Sequence, residues 1–529
     1  MIWILIAGAV AFLFWYSLLR PMNHFTKMGV KQSKPWPIVG DQWPFLLKRM
    51  SFAEVIEWIY NMYPKSRYVG FYRFQVPTLL LRDPELIKEI TVKDFDHFTD
   101  HRSFIDPEID PLWGGNLFSL KGQKWREMRA TLSGSFTSSK MKHMFSLINE
   151  AAENFAEYFV GKGQDLVEVE MKDIFTRYTN DVIATSAFGI KVDSLKEQDN
   201  TFYMMGKKVT NLTGFVTRMK FILSLAAPAL FRKLKISIFA RDVSMFFRNI
   251  IHETINVREA KGIVRQDMIN LLLETRKGIK NEESDVIETG FATVKESSAL
   301  DKYKFKQLKQ LSNDDITSQA LIFFFAGFDT ISTGLCFGSY ELALNKEVQD
   351  KLRKEILDTQ KATNGKLSYE VLLKMKYMDM VFTEILRKWP PVVGIDRVCT
   401  KPYTIKPVYP DEKPVHLKVG DLLLLPMKGI HRDPKYYPEP EKFDPERFSD
   451  ENKDLIKPYT FIPFGAGPRN CIGSRFAILE AKAVLYHLLL NFEIVPIQKT
   501  RIPLKLCIKS VQPTAEVVSG LVCNVFTKN

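Results

Sequence analysis

A mainly α-helical fold with a minor β region, set behind one apolar N-terminal helix, is predicted by three features of the chain. Helical hydrophobic periodicity dominates from about residue 84 to residue 390, in stretches such as DPELIKEITVKDF and VQDKLRKEI. Short runs of β-branched and aromatic residues flank it, at 67–82 (RYVGFYRFQVPTLLLR) and at 396–427, and read as strands. Residues 472–490, IGSRFAILEAKAVLYHLLL, are apolar almost all round, the mark of a buried helix.

Composition narrows the class. With 529 residues, 46% of them hydrophobic and 26% charged, the chain can bury a large core. Its five cysteines are scattered, with no CxxC pair or Cys/His cluster, which excludes a disulfide framework and a structural zinc site. A reducing, cytosol-facing compartment follows. The net charge of +13 is spread without a dense tract or a nucleic-acid motif, so nucleic acid is not the expected partner.

Taken in order, residues 1–19 (MIWILIAGAVAFLFWYSLL) carry no charge, and about 20 such residues span a bilayer as a helix. Trp3 and the Phe14-Trp15-Tyr16 cluster suit the two interfaces, and Arg20, Lys27, Lys31 and Lys34 precede the first acid, Asp41. By the positive-inside rule that flank stays cytosolic. A cleaved signal peptide is the competing reading, but the charged n-region and small-residue cleavage site are missing. The predicted organisation is a transmembrane anchor at 1–19, a basic linker at 20–40 stiffened by Pro35 and Pro37, and a single body at 41–529. That topology leaves the sequon Asn211-Leu-Thr213 without a glycan. Residues 277–313, polar and without period, read as a mobile surface loop, and 428–470 as irregular chain. No internal repeat appears.

The chemistry concentrates in FGAGPRNCIG, residues 464–473. Cys471 stands just ahead of the buried helix, where backbone N–H groups and the dipole favour an anion such as thiolate, a strong iron ligand. Gly465, Gly467 and Gly473 let the backbone turn and let a flat, bulky group approach. Phe464 can pack beside that group, and Arg469 can reach an acidic substituent on it. Haem, with its propionates, is the group that fits. A buried structural cysteine is the bland alternative, but the full pattern F-x-x-G-x-R-x-C-x-G arises by chance in such a composition on the order of once in 10⁴ chains.

The stretch resembles the haem-binding loop of the cytochrome P450 family, the haem-thiolate monooxygenases, and the resemblance spans essentially the whole chain. It implies a fold with haem b buried between a long distal helix and the cysteine-loop helix, and it makes Cys471 the axial iron ligand. Further segments match in chain order. KWREMR places Trp125 and Arg129 at i,i+4, as in the family's W-x-x-x-R helix, where both side chains face propionates. FFFAGFDT carries Ala326 and Gly327 to make room for the flat cofactor and O2, then the acid–alcohol pair Asp329 and Thr330. Thr330 is expected to bond back to the carbonyl of residue 326 and open the helix, and with Asp329 to deliver protons for dioxygen activation. Glu384 and Arg387 in TEILRKWPP, with Arg447 in FDPERF, match a buried network that steadies the cysteine loop. Arg397, and His101 or Arg102 in FTDHR, match further propionate contacts.

The same resemblance, closest in detail to insect microsomal members of the xenobiotic-oxidising branch, implies NADPH electrons delivered by NADPH-cytochrome P450 reductase, with cytochrome b5 as an auxiliary donor. It implies residence in the endoplasmic reticulum membrane with the body facing the cytosol. The implied reaction inserts one atom of O2 into lipophilic small molecules, as in detoxification of insecticides or plant toxins. Substrate would meet the 103–120 loop, Ile322, Phe323 and Phe325, residues Val392, Val393 and Ile395, and the 507–511 turn with Ile508. Residues 202–240 also suit contact with membrane lipid, and Lys121, Lys124, Lys140, Lys142 and Lys457 suit an acidic reductase surface. Two other readings stay open: oxidation of an endogenous lipid or hormone, and a reductase-independent haem-thiolate isomerase.

Overall fold

The helix Asn313–Leu344 is the axis of the helical part. Ser312 starts it with a reciprocal capping box to Asp315, which satisfies N–H groups that would otherwise be orphaned. Beyond its first turn it is apolar on nearly every face, so it is stable only when surrounded. The helices Met171–Ile183, Arg241–Lys261 and Lys376–Lys388 pack around it. The apolar stretch near the C-terminus forms the buried helix Ser474–Asn491, covered by Ser138–Val160. In this computed structural model the described residues are 2–16, 20–102, 105, 107–210, 214–226, 228–237, 239–265, 267–277, 290–293, 311–508, 510 and 513–523.

The first predicted strand region is an antiparallel hairpin of β1 (Tyr68–Arg73) and β2 (Val76–Leu81), with Phe71 opposite Thr78. Three short strands not read from the sequence form a second sheet: β3 (Leu166–Glu170), β8 (Phe492–Val495) and β9 (Val518–Cys523), in the order β3-β9-β8. The 396–427 region supplies β4 (Ile395–Val398), β5 (Tyr403–Ile405), β6 (Val415–Leu417) and β7 (Leu422–Leu425). β7 joins β2 in parallel and β4 antiparallel, giving a four-stranded sheet β1-β2-β7-β4, while β5 and β6 pair alone. A mainly helical body with minor sheet is therefore what forms, and its apolar core divides into a large helical cluster and a smaller one beneath the four-stranded sheet.

Residues 20–40 do not hang as a free connection. Phe25 is buried against Gly70, where a Cβ would lie 2.4 Å from its ring, and the Gly70 N–H donates to Lys31 O at 2.9 Å. Ahead of them the helix Ile2–Phe14 exposes its apolar side chains, Trp3 by 81%. Among the described residues, the one helix long and apolar enough by composition to cross a membrane is Asn313–Leu344, and the core buries most of it. The sequon and most of the 277–313 loop lie outside the described residues. Residues 290–293 are described, and there Phe291 packs on Phe448 and Phe461 with ring centroids 5.2 and 5.7 Å away.

Candidate active site

The loop before the buried helix brings together most of the residues singled out around Cys471. Its glycines divide the work. Gly465 has φ +77°, which a side chain would strain, and open space where a Cβ would stand, the nearest atom being 3.8 Å away. Gly473 is similarly open, with Phe136 3.9 Å off. Gly467 serves a different purpose from the one expected: a Cβ there would fall 1.8 Å from Thr91 O, so its smallness lets the loop lie on residue 91. The Cys471 N–H donates to Phe464 O at 2.8 Å and closes the turn.

Cys471 is exposed although residues 465–470 are buried. Protein nonetheless surrounds its thiol, so the exposure is to interior space and not to bulk water. Burial pushes the thiol above its ordinary value, against the opposing pull of the Gly473 N–H and the Arg129 charge. The local dipole expected to favour the anion therefore does not prevail alone, because Gly473 is the cap and Cys471 lies two residues before it. A bound cation is what would hold it as thiolate.

Three buried guanidiniums surround the loop. Arg129 donates to Asn470 O at 2.9 Å and to Asn470 Oδ1 at 2.7 Å. Arg397 donates to Asp396 O at 2.8 Å and Ala466 O at 3.4 Å, while its buried Nε has no partner among the described residues. Arg469 binds the carbonyls of Thr99, Leu117, Phe118 and Leu120 and stacks 4.1 Å over Trp125. Most of its donors thus tie the cysteine loop to residues 99–120. Burial, with repulsion from Arg397 and Arg129, holds Arg469 well below the usual guanidinium range. The carboxylates countering these cations are Asp100, 3.8 Å from Arg469, and Asp396. Buried positive charge is in excess, so an anion is called for.

His101 joins the group through Asp396, its Nδ1 3.0 Å from the carbonyl and 3.3 Å from Oδ1, and stacks on Phe118. Burial takes its pKa down to about 4, so it is neutral at physiological pH. Burial would raise Asp396, but the His101 bond, the Arg73 charge and the Arg102 N–H at 2.7 Å hold it at about 2.

On the long helix, Ala326 is exposed between the buried Phe324 and Phe328 and beside the half-buried Phe325 and Gly327. Thr330 Oγ1 donates to Ala326 O at 2.5 Å, as expected, but the helix continues unbroken through it. Gly327 packs closely on a neighbouring helix, since a Cβ would lie 2.6 Å from Ile183 Cδ1. Asp329 is engaged by Lys172, which no sequence pattern marked. The Lys172 ammonium donates to Asp329 O (3.0 Å), Asp329 Oδ1 (2.8 Å), Ser332 Oγ (2.7 Å) and Thr333 Oγ1 (2.8 Å). Phe325 meets Trp113 edge-on at 5.8 Å, and Trp113 stacks on Phe239 at 3.7 Å, joining two of the segments expected at a substrate pocket to the 202–240 stretch expected at the membrane. Phe323 turns instead to Phe136 at 5.5 Å. Ile322, Ile395 and Ile508 are half-buried, Val392 is exposed, and Val393 is buried in the sheet-side core.

Glu384 and Arg387 are fully buried and pair at 2.6 and 2.8 Å, with Arg447 Nε 3.6 Å from Glu384. Arg387 also donates to His431 O at 3.0 Å, and His431 Nε2 accepts the Ile462 N–H at 2.9 Å, two residues before Phe464. The network thus reaches the cysteine loop through a histidine that the sequence pattern did not single out.

A thiol facing interior space, on a loop that gathers three buried cations with Trp125 stacked on one of them, defines a site for a flat, metal-bearing, doubly anionic group. Haem fits it: two glycines leave clearance, the buried Arg397 Nε awaits an acceptor, and the thiol is an iron ligand. The cytochrome P450 family model matches residues 30–517. The chain is 45% identical over 516 residues to "Cytochrome P450 9e2" of Blattella germanica, covering 94% of this chain and 93% of the relative. It is 41% identical to "Probable cytochrome P450 9f2" of Drosophila melanogaster, at 95% coverage of both chains, and 36% identical to "Cytochrome P450 6k1" of Blattella germanica, at 96% and 94%. The chain belongs to the cytochrome P450 family, and with membership come a haem cofactor, a redox partner and monooxygenase chemistry with O2.

Proposed function

We propose that this chain inserts one oxygen atom of O2 into lipophilic xenobiotics, insecticides or plant toxins among them, using NADPH electrons passed on by a flavoprotein reductase, with cytochrome b5 as an auxiliary donor. Haem b supplies, when bound, the thiolate-ligated iron at which dioxygen is activated. Cys471 would ligate that iron. Arg129, Arg397, Arg469, Trp125 and His101 would neutralise and orient the propionates, and Gly465, Gly473, Phe464 and Ala326 would give the ring its clearance.

The observation that carries the reading is the intact acid–alcohol pair beside the exposed Ala326. The Thr330 hydroxyl lies one turn from that methyl group and would release its proton to the site, while the Asp329 carboxylate, ion-paired to Lys172, would relay a replacement proton taken up from solvent. The half-buried Phe325 and the stacked Trp113–Phe239 pair suit apolar, aromatic substrates. Anchorage in the endoplasmic reticulum membrane by residues 1–19, with the linker 20–40 and the catalytic domain 41–529 on the cytosolic side, is supported by the exposed apolar helix Ile2–Phe14 and the basic flank behind it. The exposed Val216, Leu223, Leu230 and Leu234 suit a second lipid contact. Lys121, Lys124, Lys142 and Lys457 are exposed for the reductase, Lys142 paired with Glu370.

The test is turnover of a lipophilic probe such as an alkoxycoumarin with reductase and NADPH. Product should require both, and Thr330→Ala should divert most NADPH oxidation to peroxide. Turnover without reductase would sink the reading.

A further inference from the structure

Residues 290–293, Gly-Phe-Ala-Thr, lie inside the 277–313 stretch that reads as a surface loop, yet they are seated in the body. The Phe291 N–H donates to Asp379 Oδ2 at 2.9 Å. Gly290 makes that approach possible. Its φ is +127°, and a Cβ there would fall 2.0 Å from Asp379 Oδ1, so a side chain is excluded on both counts. The Phe291 ring packs on Phe448 and Phe461, whose own centroids are 5.2 Å apart, and Ala292 is buried in the helical core cluster.

What these four residues join is the two ends of the cysteine loop. On the entry side, Phe461 carries the Phe291 ring and meets the His431 ring at 5.3 Å. The next residue, Ile462, gives its N–H to His431 Nε2, and its carbonyl accepts the Gly465 N–H at 3.0 Å. On the exit side, the helix Ser474–Asn491 sends the fully buried Lys482 ammonium to Asp379 Oδ1 at 2.6 Å. That is the carboxylate whose other oxygen holds the Phe291 N–H. Asp379 in turn sits on Lys376–Lys388, the helix of Glu384 and Arg387, and Phe448 directly follows Arg447. We infer that residues 290–293 are a clasp between the chain entering the cysteine loop and the helix leaving it, with Phe291 a positioning residue for the Cys471 thiolate. The inference rests on the haem-thiolate reading given above. The Glu384 network supports the loop from within, whereas the clasp acts at the rim. Phe291 is 37% exposed, so its ring can be removed without opening the core.

The test is haem transfer from the ferric full-length holoprotein, in lipid nanodiscs, to excess apomyoglobin, with the carbon monoxide spectrum of the reduced protein recorded alongside. Phe291→Ala and Gly290→Ala should each speed transfer about tenfold, because each unseats an aromatic anchor that makes two ring contacts. Both should move a larger share of the carbon monoxide complex from the thiolate-type band to that of a protonated thiol. The circular dichroism melting midpoint should fall by about 2 °C at most. Phe291→Tyr, which keeps the ring, should match the parent in all three measurements. Parent-like transfer and band in Phe291→Ala overturn the proposal, as does an equal acceleration in Phe291→Tyr. Slower reduction by the flavoprotein reductase in Phe291→Ala, with transfer and band unchanged, would assign the segment to partner docking and overturn it too. If the parent itself shows no thiolate-type band, the haem-thiolate reading fails, and this inference with it.

Discussion

Replacing Arg387 by methionine should detach haem from a chain that never touches it through that residue. The guanidinium makes five hydrogen bonds: two to Glu384, and one each to His431 O, Pro440 O and Lys442 O. Methionine keeps the apolar bulk and loses all five. Glu384, fully buried, is left with the Asp444 N–H at 2.9 Å and Arg447 at 3.6 Å. Stranding one partner of a buried pair costs about 3–5 kcal/mol. At ~2.1 cal/mol/K per residue over 529 residues, the unfolding entropy is about 1.1 kcal/mol/K, so the midpoint should fall by about 3–5 °C. The damage should reach the cysteine loop, because Arg387 fixes the His431 carbonyl and the His431 ring holds the Ile462 N–H. Haem per polypeptide, read from the carbon monoxide difference spectrum, should drop further than circular dichroism does. The double variant Glu384→Leu/Arg387→Met, which removes both buried charges, should regain part of the lost stability. An Arg387→Met protein that melts within 1 °C of the parent and holds full haem would refute the reasoning.

Other perturbations act closer to the chemistry. Cys471→Ser should eliminate the thiolate-type Soret band of the reduced carbon monoxide complex, whereas Cys336→Ser, in the core of the long helix, should leave its position unchanged. Lys172→Met should free Asp329 from its ion pair and alter the coupling of NADPH to product by several-fold without changing haem content; unchanged coupling would remove Asp329 from proton delivery. Burial lowers His431 to about 3 and His101 to about 4, below the ordinary 6.5, so each binds a proton more readily unfolded than folded. Their contribution to stability is complete above about pH 6.5 and is lost as pH falls from there towards 4. Acid titration of haem retention should show that slope, and His431→Gln should flatten it.

How much was legible depended on whether a residue's partner lies in its own stretch of chain. The long helix, the β1–β2 hairpin and the helix after Cys471 announce themselves by local periodicity, and the cysteine loop by a dense run of residue types that few other purposes explain. Trp125, Arg129, Arg397 and His101 do gather at that loop, because each sits on an element whose direction the core fixes. Local sequence misassigned one small residue: Gly467 looks like clearance for a cofactor, yet a Cβ there strikes the Thr91 backbone, which no nearby residue reveals. Lys172 was invisible for the same reason, being an ordinary lysine after β3 until folding puts its ammonium on the 329–333 turn. The strands β3, β8 and β9 are too short to carry a period of their own, and β3 finds its partner only when residues 166–170 meet the C-terminal stretch. Residues that bear the chemistry are thus readable as types, whereas those that hold them in place are readable only as contacts. That is why the acid–alcohol pair could be named from AGFDT, but the lysine governing its carboxylate could not.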